Sequence, residues 1–139
     1  MKWPSWIRDM QASQRAHEQR MQRAAGVDAV KLVCRRDVWD QLDLWQISGG
    51  HRPSEWVSPG LVRRIGDDMV EVPLSGLNVV ALLRSTRRHL RAAEALQAGT
   101  RTVAHRVYDQ IAQVIDAEAT PGAPLPAIVV DDELVAATQ

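Results

Sequence analysis

The sequence predicts a helix-dominated α+β fold, and three observations carry that expectation. Two long stretches, 75–97 and 100–117, place apolar side chains at helical spacing, with Ser75 positioned to cap the first. Two short runs, LVRRI and MVEVPL, flank Gly66-Asp67-Asp68 as the arms of a small β-hairpin. A polar opening segment rich in Gln, Ala and Arg reads as one further helix. The expected organisation is an N-terminal helical arm (1–26), a single α+β domain (27–119) ending in an antiparallel helical hairpin, and a Pro-rich linker with an acidic tail (120–139).

Composition bounds the rest. A length of 139 residues with 45% hydrophobic and 24% charged side chains describes one globular domain with a real core. There is no phenylalanine and one tyrosine, Tyr108, beside five tryptophans, so the core must be mainly aliphatic. Cys34 stands alone, which leaves no disulfide within the chain and suits a reducing, cytoplasmic setting. The opening MKWPSWIRDMQASQ lacks the apolar stretch of a signal peptide. The strongest apolar run, Leu77 to Leu83, is far too short for a membrane span, so no membrane association is expected.

Pro4 suits a first helical turn and Gly26 a C-terminal cap. Between them Trp3, Ile7, Met10, Met21 and Ala24 follow a 4–3 spacing that Gln14 and His17 interrupt. So narrow an apolar edge leaves the helix marginal alone, and it must lean on the body or on another chain. Residues 27–34 alternate weakly and read as a short strand. Asp37 then stands as the N-cap of a helix with Val38, Leu42 and Trp45 on one face. The window 42–47 also fits a strand; helix is the preferred reading. Glycines and prolines between Ser48 and Gly60 mark a loop. Pro73, late in the second hairpin arm, argues for an edge strand or a strand end.

The helix opened by Ser75 is expected to reach about Gln97, with Gly99 ending it. Thr100 or Arg101 should open its partner, which lasts to about Ala117. Leu82, Leu90, Val107 and Ile111 are the expected core between the two, and Arg84, Arg87, Arg88 and Arg91 lie on the opposite face of the first. TPGAPLP reads as an extended linker, and AIVV as a candidate edge strand.

The formal net charge of zero conceals a segregation. All 17 bases fall within 1–115, whereas Asp116, Glu118, Asp131, Asp132 and Glu133 follow with no base among them. Lys2 and Lys31 are the only lysines. Arginine enrichment suits bidentate anion binding, and a GC-rich coding sequence produces the same bias; composition favours the latter. The arginine face is nonetheless the leading candidate for binding a partner or a polyanion, with Arg63 and Arg64 on the hairpin as additions. The bland alternative is a solvated face whose stems cover apolar surface. A third reading has the acidic tail, Asp131 to Glu133, folding back over it.

Catalytic signatures are absent. Gly49-Gly50 lacks the Lys-Ser or Lys-Thr of a phosphate loop, and His17, His51, His89 and His105 show no ligand spacing with Cys34. His105 and Asp109 suit a surface pair, and Cys34 suits an inert core thiol. No enzyme activity, metal or cofactor is expected. Trp3, Trp6, Ile7 and Met10 are instead candidate oligomer contacts, since tryptophan is over-represented among interface anchors. The expected function is that of a small, non-catalytic interaction or assembly protein, bacterial or phage-encoded, with a protein partner or self-association. The order helix, strand, helix, loop, hairpin also parallels a winged-helix DNA-binding layout, although 48–60 is too broken for a recognition helix.

Overall fold

The computed structural model describes residues 3–92, 98–117 and 125–130. In chain order the elements are α1 (Ser5–Ala25), β1 (Val30–Arg35), α2 (Arg36–Leu44), β2 (Arg63–Gly66), β3 (Met69–Leu74), α3 (Gly76–Arg91), α4 (Ala98–Ala117) and β4 (Ile128–Val129). The four strands form one mixed sheet in the order β2-β3-β1-β4, with only β4 parallel to its neighbour β1. This is the helix-dominated α+β fold that the sequence predicts.

Period-two alternation decides which side of the sheet meets the helices. Val30, Leu32 and Cys34 of β1, Val70, Val72 and Leu74 of β3, and Ile128 of β4 are all buried. The intervening Lys31, Glu71, Pro73 and Val129 face outward, with Lys31 Nζ 3.5 Å from Glu71. Pro73 is not at an edge, because β3 lies between β2 and β1. It is tolerated for a register reason. Arg36 N donates to Asp68 O, so bonded pairs recur at every second position and Lys31↔Pro73 is a non-bonded pair. The missing N–H therefore points towards β2, whose pairing stops at Arg63↔Glu71. The hairpin turn is Asp67-Asp68, with Asp68 at φ 60°, and Gly66 closes the strand.

The helices cover the inner face. Ser75 caps α3 through a reciprocal pair of bonds with Asn78, as a capping box should. Leu82, Val107 and Ile111 are fully buried between α3 and α4 and Leu90 is half-buried, which matches the expected core. Each fully buried aliphatic contributes about 1.5–3 kcal/mol relative to exposure. The boundaries differ from expectation. α3 stops at Arg91, and Gly99 lies inside the first turn of α4 instead of terminating α3. α2 starts at Arg36, so Asp37 sits in its first turn, where a carboxylate favours the helix dipole, and Arg35 is the N-cap.

Loop 45–62 is better anchored than its glycines and prolines suggest. Gly49 and Gly50, both at positive φ, make a two-residue turn closed by reciprocal Ser48 and His51 backbone bonds. Trp56 and Val57 are buried, and the Trp56 ring stacks on Trp39 with centroids 5.6 Å apart. Trp56 Nε1 and the Arg52 guanidinium both donate to Asp43, and Asn78 Nδ2 donates to Glu55 O.

Gly76 is the glycine the fold depends on. A Cβ there would lie 2.6 Å from both Ala24 O and Val27 O, so the start of α3 is wedged against the end of α1. Gly26 caps α1 as expected, but at φ −85°, a conformation open to any residue.

Candidate interaction surface

Three side-chain pairings fix how α1 lies on the body. Arg87 Nη2 donates to Gln14 Oε1, and Gly76 meets the turn after Ala24, so α1 runs antiparallel to α3. His17 contacts Tyr108 while Arg20 and Arg23 both reach Asp116, so α1 runs parallel to α4. α3 and α4 are consequently antiparallel to each other. The N-terminal helical arm, expected to lean on the body or on another chain, leans on the body over its C-terminal half.

The docked half is held by a polar network. Arg20 Nη1 donates to Tyr108 Oη at 2.9 Å, and the same hydroxyl shares a hydrogen bond with His17 Nδ1, 2.8 Å away. Burial holds the His17 pKa down to about 4, with the Arg87 and Arg20 guanidiniums adding to the effect. Asp116 completes the chain. Its carboxylate accepts from Arg20 at 2.7 Å and from Arg23 at 2.7 Å, and the Arg20 hydrogen bonds hold it below the usual carboxylate range. Asp116 thus belongs to the body, although by sequence it opens the acidic end of the chain. Glu118 and the Asp131–Glu133 cluster lie outside the described residues.

The other half of α1 has no such partners among the described residues. Trp3, Trp6 and Met10 are 54%, 64% and 48% exposed, and Ile7 is half-buried. Trp3, Met10, His17 and Ala24 recur every seven residues, with Ile7, Gln14 and Met21 four residues after each of the first three. From Ile7 to Ala24 they form one seam on α1, with Trp3 just outside the helix, and its first stretch continues past the contact between Gln14 and Arg87.

The α3 arginines divide between two roles. Arg84, Arg88 and Arg91 are exposed, and among the described residues none forms an ion pair with a carboxylate. α3 itself contains no Asp or Glu. Arg87 is half-buried and turned towards α1, where it holds Gln14 while its Nε has no hydrogen-bond partner among the described residues. Arg63 and Arg64 are not brought to this surface. Arg63 pairs with Glu71 and so shares the outer face of the sheet, away from the helices, and Arg64 Nε donates to Gly66 O at 3.5 Å. Between 48 and 60 the only helical piece is the start of a three-residue 3₁₀ turn, Pro59–Leu61, which leaves no recognition helix there.

Among the described residues no cluster of His, Cys, Asp or Glu could hold a metal, and no helix is long and apolar enough to cross a membrane. His105 and Asp109 do form their surface pair at 3.1 Å. Cys34 is buried. Sequence reasoning missed the His17–Tyr108–Arg20–Asp116 network, although the signal was present: two polar residues at seam positions of an otherwise apolar stripe. Searches against protein-family models, curated proteins and solved structures found no match to this chain.

Proposed function

We propose that this chain is a non-catalytic interaction or assembly protein of a bacterial or phage cytoplasm, and that it docks a protein partner through the N-terminal half of α1. The observation that carries this reading is the exposed stretch of the α1 seam. Trp6 and Met10 project from the first turns of α1, with Trp3 just ahead of its Pro4 cap, and none of the three is covered by the described residues, which leaves them open to another chain. The lone, buried Cys34 is in keeping with a reducing compartment. Removing α1 altogether is a poor test, because His17 and Ala24 are part of the packed body. The test is a W3S/W6S variant compared with the wild type in light scattering and in affinity capture from the source cells. The wild type should self-associate or recover a stoichiometric partner, the variant should do neither, and both should unfold at the same denaturant midpoint. Identical behaviour of the two proteins would remove the proposal.

The second reading is a DNA-binding regulator, and the observation favouring it is the Arg84, Arg88 and Arg91 face, which forms no ion pair among the described residues. Such a role predicts binding to random duplex DNA that falls steeply with salt and is indifferent to the tryptophans. Protein docking is preferred because the exposed apolar stretch is unaccounted for by a polyanion.

A further inference from the structure

We infer that the partner docked by this surface is an acidic amphipathic helix belonging to a different protein. This rests on the interaction reading above and specifies the chemistry of the occupant. Shape comes first. Ile7 and Met10 open the α1 seam, with Trp3 standing just ahead of its Pro4 N-cap, and their helical spacing accepts the knobs of a facing helix. The same seam on the same helix already accepts α3 and α4 one turn further on, at Gln14, His17 and Met21.

Charge selects among helices. Antiparallel pairing of Gln14 with Arg87 places Arg91 level with Met10 and Arg88 just before it, at equal rise along both axes. These guanidiniums are exposed and form no ion pair with a carboxylate among the described residues; Glu94, one turn on, lies outside them. A helix lying along the α1 seam therefore has a basic rim on its α3 side. Glutamates or aspartates at its flanking positions would meet Arg88 and Arg91, as e and g residues meet their partners in a coiled coil. A second copy of this chain is a poorer occupant, because it would bring its own Arg88 and Arg91 into the same neighbourhood. A nucleic acid would satisfy the arginines and leave the seam unfilled.

The experiment titrates the full-length chain with a synthetic helical peptide carrying leucines at 4–3 spacing and glutamates at the flanking positions. A scrambled peptide of the same composition, a version with lysine for glutamate, and a random DNA duplex serve as comparisons. Binding is read by calorimetry at low and at physiological salt, with light scattering for self-association. The patterned acidic peptide should bind with one-to-one stoichiometry. W3S/W6S and R88E/R91E should each weaken it by about tenfold or more, and the lysine peptide should prefer R88E/R91E. Equal unfolding midpoints confirm that the variants are folded, and R88Q/R91Q replaces the reversal if its midpoint moves.

Failure of the patterned peptide to bind would overturn the inference, as would equal binding of the scrambled peptide or indifference to R88E/R91E. Tighter binding of DNA that ignores W3S/W6S would assign the surface to a polyanion. Self-association of the wild type that W3S/W6S abolishes would make the occupant a second copy; the proposed function would then stand and only the chemistry of the partner would fall.

Discussion

Along α1, Gln14, His17, Met21 and Ala24 continue the spacing that Ile7 and Met10 begin, yet only the later set is covered by the described residues. The covered half is the more polar of the two. Apolar content did not choose which half would dock. The body offers partners cut to the polar residues: Tyr108 for His17, Arg87 for Gln14, Asp116 for Arg20 and Arg23. A buried polar group is costly when unpaired and modestly stabilising when paired, so such a network fixes position more than it adds stability. The lesson is that polar interruptions specify where an amphipathic helix sits, while its uninterrupted stretch remains available to another chain.

The comparison breaks most completely if the floor beneath the docked half is removed. Leu82→Ala or Ile111→Ala empties a fully buried site between α3 and α4, and each should cost about 2–5 kcal/mol. A denaturant midpoint unchanged by either would mean that the helical faces are wrongly assigned. Gly76→Ala should act at the other end of the same contact. Its new Cβ meets backbone oxygens at 2.6 Å, which cannot rotate away, so α1 and α3 must separate slightly at about 1–3 kcal/mol. Gly26→Ala, with only ordinary contact to Arg23 O, is the paired control and should be nearly neutral.

Acid should loosen the docked half selectively. His17 is held down to about 4 in the folded chain against 6.5 when exposed, so the unfolded state takes up the proton first. Its contribution is complete above about pH 6.5 and is lost as pH falls towards 4, by on the order of 2 kcal/mol once screening by nearby solvent is discounted. Asp116, whose pKa is lowered by Arg20, loses its contribution only at still lower pH, below the ordinary carboxylate range. Unfolding of wild type and His17→Gln across this interval checks the point, since the variant should show a flatter slope between pH 6.5 and 4. A parallel dependence in both proteins would place the titration elsewhere.

Much of this architecture was legible in the residues. The Ser75 cap, the α4 face, the hairpin around Asp67-Asp68 and the edge strand near Ile128 all follow from local spacing and turn chemistry. What the sequence hid is non-local. Pro73 reads as an edge or strand-end signal; it does fall one residue from the end of β3, and only the register shows its nitrogen aimed past the end of β2. Trp56 and Val57 sit in a glycine- and proline-rich loop, and nothing in that loop announces the Trp39 ring or the Asp43 carboxylate that hold it down. The arginine face was half legible. Helical periodicity grouped four arginines correctly, but only the position of α1 separates Arg87, which holds Gln14, from Arg84, Arg88 and Arg91. Asp116 was grouped with the acidic end of the chain for the same reason, because its partners stand more than ninety positions earlier.

The smallest effect on stability is expected where the effect on association should be greatest. Trp3 and Trp6 are 54% and 64% exposed, so W3S/W6S removes little surface that folding buries. The change in unfolding free energy should stay within about 0.5 kcal/mol, the range of surface substitutions that touch no special feature. A matched pair in the docked half, His17→Ser with Met21→Ser, should behave in the opposite way. It strips Tyr108 of its hydrogen-bond partner on α1 and opens apolar volume, so stability should fall by several-fold more than in W3S/W6S, with association affected only through unfolding. Measuring midpoint and oligomeric mass for both pairs gives four numbers that the comparison orders in advance. If the tryptophan pair proves the more destabilising, those rings are packed in solution, and the two halves of α1 differ in degree rather than in role.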